Sequence, residues 1–99
     1  MKPGDVVVAA FPGAQLIKAR PAVVLSTEDY HWNRPDVMVG LITTQAPQAL
    51  APTDCVLLDW EQAGLHAASY FRLFVVTFPQ RQARLIGRLS DADWRSGLL

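Results

Sequence analysis

Cysteine is all but missing from this chain, and what else it lacks is equally informative. Cys55 stands alone, so no internal disulfide can form, and without partnering cysteines it founds no zinc site. Its ordinary role is that of a small buried apolar residue. His31 and His66 are the only imidazoles, neither with a partnering acid at a recognisable spacing, so both read as surface histidines. No metal site and no cofactor is therefore expected. Nine basic and nine acidic side chains leave no net charge, and so no global field that would mark a nucleic-acid binder. Long apolar runs are also absent. The stretch from Val6 to Phe11 is too short for a signal segment or a membrane span, which predicts a cytoplasmic protein without a membrane partner. No repeat or low-complexity linker divides the sequence, so residues 1–99 are expected to form a single domain around one small core.

What is present is a series of short β-branched runs between turn residues. Asp5 to Phe11 is bounded by Pro3-Gly4 and Pro12-Gly13 and reads as a strand. A loop over 12–19 precedes a strand from Pro21 to Ser26. Thr27-Glu28-Asp29 ends that strand, and a loop through Tyr30 to Arg34 leads to a third strand from Val37 to about Thr44. Residues 45–53 carry two prolines and read as a loop, followed by a short strand at Asp54–Leu58 and one helical turn at Asp59–Gly64, stopped by glycine. Tyr70 to Phe78 is the longest strand. A last strand, Ala83 to Arg88, leads to Ser90, which can cap a brief helix with an acidic first turn. The pattern predicts a mainly β fold with one carboxyl-terminal helix. Its strands are nearly continuous apolar runs, as in sheets covered on both faces. A chain this short has little mass to cover them, which predicts a homodimer.

Arg20 stands out because Pro21 fixes its own φ and pushes the preceding residue towards an extended conformation, aiming a permanent cation from the mouth of a strand. Its target is either a core-edge carboxylate or an anion such as phosphate. Arg72 interrupts the longest apolar run and shares a face with Tyr70 and Phe74 by the period of two, a costly place unless paired or facing a polar cleft. Thr43 lies on the face of Val39 and Leu41, and Thr44 on the other. Trp32, Trp60 and Trp94 suit core or interface anchors better than base-stacking platforms.

In their order, Pro3-Gly4-Asp5-Val6-Val7, Arg20-Pro21-Ala22-Val23-Val24-Leu25-Ser26, Val37 through Thr44, Asp59 through Leu65 with Ser69, and Ile86-Gly87-Arg88-Leu89-Ser90 resemble the successive blocks of the MazF/PemK family of toxins. The resemblance implies a small SH3-like barrel with a carboxyl-terminal α-helix, assembled as a homodimer. It also implies a metal-free endoribonuclease that cuts single-stranded RNA at short sequences until a cognate antitoxin fills the RNA groove. By the family's motif Arg20 falls on the catalytic arginine and Thr43 on the catalytic hydroxyl residue. Lys18, Thr44, Arg72, Arg81 and Arg84 are the expected RNA contacts. Some members carry an acid two positions beyond the arginine that Arg72 matches; here Phe74 stands there.

Two other readings remain at this level. A topoisomerase poison of the CcdB kind shares the barrel, but Trp94 and Gly97 are separated where that family has a terminal Trp-Gly-Ile. A degenerate homologue that only binds RNA or antitoxin is favoured by Phe74 and the zero net charge.

Overall fold

The computed structural model describes residues 1–12, 17–45 and 54–98. Six strands and two helices follow in the order β1 (Asp5–Pro12), β2 (Ile17–Val24), α1 (Glu28–Asn33), β3 (Asp36–Thr43), β4 (Cys55–Leu57), β5 (Ser69–Pro79), β6 (Arg84–Arg88) and α2 (Asp91–Leu98). The strands form one antiparallel sheet, ordered β4-β5-β3-β2-β1-β6, that curls into a half-barrel. Strand alternation sorts its apolar residues onto two faces. Val6, Val23, Ile42 and Phe71 belong to one buried cluster, to which β4 adds Leu57, the 58–65 turn Ala63 and Leu65, and α2 Trp94. Val7, Ala9, Ala22, Val24, Val37 and Val39 form the second, with Val76, Phe78 and Ala83 packed on it.

The runs of β1, β2 and β3 are thus covered on both faces within one chain. Curling and the 58–65 turn supply these layers, so the surface left for a second copy of the expected homodimer lies on other strands. The large apolar side chains left exposed lie elsewhere: Val56 and Leu58 at β4, Phe74 and Val75 on β5, and Leu85 on β6, besides Met1 and Trp32.

The 58–65 turn docks backbone to backbone. Gly64 NH donates to the Glu61 carbonyl and Leu65 NH to that of Trp60, closing a single helical turn in the Schellman manner with Gly64 at φ 87°. A Cβ on Gly64 would lie 2.4 Å from the Ile86 carbonyl oxygen, and one on Gly87 2.0 Å from that of Ala63. Two glycines therefore let the turn lie directly on β6. At its other side the buried Asp93 carboxylate accepts from the Leu58 and Asp59 amides at 3.0 and 2.8 Å. Ser90 caps α2 by accepting from the Asp93 amide at 3.1 Å, as its sequence predicts.

Four expectations change. β2 begins at Ile17, so residues 17–19 belong to a strand rather than a loop, and Arg20 stands inside the strand. Pro21 has no N–H to give, and the β2–β3 ladder runs only from Ala22 to Val24 beside it. The stretch expected as a loop through Tyr30 is α1, capped by Thr27 Oγ1, which accepts from the Tyr30 amide at 3.3 Å. A 3₁₀ turn over Gln80–Gln82 separates β5 from β6. Finally, β5 places three residues (72–74) between Phe71 and Val75 where β3 places only Leu41 between their partners Ile42 and Gly40, a bulge that holds Arg72 and Phe74. Most of the 45–53 loop lies outside the described residues.

Candidate nucleic-acid interface

Ala9 pairs with Arg20, and Leu41 with Ala22, so Arg20 sits on the sheet face of Ala9 and Ala22. Thr43 follows Leu41 on that same face by alternation. The paired stretch of β2 and β3 ends at Ala22–Leu41, and Arg20 and Thr43 each lie two residues beyond it, on one sheet face at the same end of neighbouring strands.

Their surroundings differ in a useful way. Arg20 is exposed and its guanidinium makes no hydrogen bond or ion pair among the described residues, whereas Arg88 is paired with Asp5 at 2.9 Å. Thr43 is only 8% exposed, and its Oγ1 accepts from the Gln45 amide at 3.1 Å. An amide can only donate, so the Thr43 hydroxyl keeps its own hydrogen, which meets no acceptor among the described residues. A fixed cation and an oriented donor on one face suit an oxyanion.

Turned the other way at this strand end is a groove of about 310 Å³. Val8, Pro21, Leu65 and Ile86 give it apolar walls, while Thr44, His66, Ser69 and Arg84 bring polar groups to it. Arg84 pairs with Val8 across β6 and β1, and Val8 with Pro21 across β1 and β2, which is how three strands contribute to one wall.

Of the remaining expected contacts, Arg72 is exposed on the β5 bulge, beyond Tyr70, which pairs with Thr43. Arg81 is exposed in the 3₁₀ turn, outside the groove. Lys18 pairs with Phe11 in the β1–β2 register, and its side chain lies outside the described residues. His66, Ser69 and Pro21 enter the groove without a sequence signal that singled out a site. His31, by contrast, is tied into the fold. Its Nδ1 donates to the Met1 carbonyl at 2.9 Å and its Nε2 is hydrogen-bonded to the Ser26 hydroxyl at 2.6 Å, while Ser26 Oγ accepts from the Met38 amide at 3.0 Å. Trp60 and Trp94 pack on the core, and Trp32 on α1 is 85% exposed. Burial first, and the Asp93 charge second, push the Cys55 thiol above its ordinary value, which agrees with an unreactive packing residue. Among the described residues no group of three His, Cys, Asp or Glu side chains could hold a metal ion, and no described helix is long and apolar enough to cross a membrane.

The model of the PemK-like, MazF-like toxins of type II toxin–antitoxin systems matches residues 2–96. The chain belongs to that family. MazF/PemK toxins are known as endoribonucleases. Three solved structures share the fold. An endoribonuclease in complex with its cognate antitoxin from a mycobacterial species superposes with a TM-score of 0.77 at 16% identity, over 97% of this chain and 85% of the other. Two crystal forms of MazE–MazF from Deinococcus radiodurans give TM-scores of 0.75 and 0.70 at 16% and 17% identity, over 97% of this chain and 87% and 86% of theirs. Among curated proteins no sequence matches this one. With identity this low, the MazF-like assignment rests on the family match, and the neighbours add the half-barrel fold.

Proposed function

We propose that this MazF-like chain is a sequence-selective endoribonuclease that cuts single-stranded RNA without a divalent cation. It acts as the cytoplasmic toxin of a type II toxin–antitoxin pair and is held in check by a cognate antitoxin. The observation that carries the reading is that Arg20 and Thr43 lie on one sheet face at the same end of β2 and β3, the guanidinium unpaired and the hydroxyl hydrogen unengaged among the described residues.

In the reaction the ribose 2′-oxygen attacks the neighbouring phosphorus, the bond from phosphorus to the 5′-oxygen breaks, and negative charge builds on the nonbridging oxygens. Arg20 meets two oxygens with its fork and stays charged at every working pH. Thr43 donates one hydrogen bond to a nonbridging oxygen from a position fixed by the Gln45 amide. Preorganised donors of this kind stabilise developing charge most where water is scarce. The proton of the 2′-hydroxyl leaves to a base and the 5′-oxygen takes one up; Phe74, exposed on the bulge, offers no group for either transfer. Thr44, Arg72, Arg81, Arg84 and Lys18 hold the flanking RNA backbone.

The toxin is a homodimer whose second copy covers part of the exposed apolar set at Val56, Leu58, Phe74, Val75 and Leu85. The test is cleavage of single-stranded RNA in EDTA. Arg20→Ala and Thr43→Ala are each expected to slow it by about 100-fold or more with the fold intact. Phe74 favours one other reading, a toxin fold that binds RNA without cutting it, and tight binding with no cleavage by the wild-type protein would establish that instead.

A further inference from the structure

We infer that the groove between the Gly64–Ser69 turn and the β6-β1-β2 wall is a nucleobase subsite, and that it sets which RNA sequence is cut. The inference rests on the ribonuclease reading and adds where selectivity lies.

Size comes first. At about 310 Å³ the groove stands at the lower end of ligand pockets, which run from about 300 to 1,000 Å³ and suit a compact ligand such as one nucleotide better than a peptide segment. Its position is the second point. Pro21 and Thr44 in its lining adjoin Arg20 and Thr43 in sequence, so a nucleotide seated there is a near neighbour of a phosphate held by the other two. Alternation puts the groove on the opposite sheet face, so the RNA has to turn around the strand end. A base at such a turn is unstacked from its neighbours and open to reading.

The chemistry of the lining fits a base with its phosphate. Val8, Pro21, Leu65 and Ile86 are flat or aliphatic surfaces against which a ring packs, and the exposed His66 imidazole adds an aromatic face. Arg84 is exposed and without a partner among the described residues, and the lining contains no carboxylate to compete with a phosphate for it. Ser69 is only 3% exposed, and its hydroxyl donates to the Ala67 carbonyl at 2.8 Å. Having used its hydrogen, that oxygen offers only lone pairs. The N–H edge of a base satisfies it, whereas a second phosphate, which brings only acceptors, does not.

The test has two arms. In the first, adenosine 5′-monophosphate is titrated into the isotope-labelled protein while amide resonances are followed. Saturable shifts concentrated at residues 64–69 and 84–86 are expected, with Arg84→Gln and His66→Ala each weakening binding about tenfold and inorganic phosphate competing poorly. Shifts centred elsewhere, or variants that bind as tightly as wild type, would overturn the inference. In the second arm, cleavage is measured on oligonucleotides that differ in one base beside the cut. His66→Ala should raise KM about tenfold, far more than kcat falls, and flatten the preference among bases. Cleavage with unchanged KM and preference refutes the subsite and leaves the ribonuclease reading standing. Nucleotide binding at the groove without any RNA cleavage does the reverse.

Discussion

Thr43 accepts a hydrogen bond from the Gln45 amide and keeps its own hydrogen, and the guanidinium of Arg20 on the same sheet face has no partner among the described residues. On the proposed mechanism, those two facts suit a residue type that is merely a good β-former elsewhere to the work of a donor. Buried single residues carry the stability argument in the same way. Asp93 is 2% exposed and satisfies two backbone amides of the 58–65 turn. Asp93→Ala strands both donors and should cost about 3 kcal/mol in urea unfolding, since hydrogen bonds to a charged group contribute roughly 1.5–3 kcal/mol. Tyr30 donates to the Asp36 carboxylate at 2.6 Å, and that bond, followed by burial and the carboxylate's charge, raises the phenol above its ordinary value. A group held protonated by the fold stabilises it below the ordinary phenol pKa and loses that contribution as pH climbs through the raised one. The stability advantage of wild type over Tyr30→Phe should therefore shrink in alkaline solution, and an advantage that grew with pH would contradict the assignment. Cys55, whose thiolate is disfavoured, should react with iodoacetamide more slowly than a free thiol at the same pH.

Elements were legible in the sequence where a β-branched run met a turn signal. β1 and β3 fall within one residue or so of their expected ends because Pro-Gly pairs and an Asp bound Val-rich stretches. α1 was not legible, since six residues are too few to show a helical period; its mark was the Thr27 cap and the two acids after it. The start of β2 was hidden because Ile17-Lys18-Ala19-Arg20 shows no clear alternation and Pro21 reads as an opener. The β5 bulge left no trace for a different reason. Two inserted residues keep the parity of a strand, so Arg72 and Phe74 alternate with their neighbours as in a regular run. α1 is also closed from outside, because Gln80 Nε2 donates to the His31 and Arg34 carbonyls at 3.1 and 2.8 Å. Thr27→Ala should lower stability by about 1 kcal/mol.

For the molecule as a whole, the expected mainly β barrel with a carboxyl-terminal helix is the fold observed, and the order of sequence blocks identified the family without a close relative. The site was legible only as residue types. That Arg20 and Thr43 share one sheet face, and that Thr44, Arg84 and His66 line one groove, depends on strand register and on the Gly64–Gly87 contact, neither of which composition or spacing encodes. Gly87→Ala pushes a methyl group against the Ala63 carbonyl and should destabilise by about 1–3 kcal/mol, disturbing the groove with it. The exposed apolar side chains of β4, β5 and β6 predict a dimer in sedimentation at micromolar concentration. The central claim is tested most directly by incubating single-stranded RNA in EDTA with wild-type, Arg20→Ala and Thr43→Ala proteins of verified fold. Site-selective cleavage by wild type and loss of about 100-fold or more in each variant is the predicted result. Undiminished cleavage by folded Arg20→Ala would contradict the account.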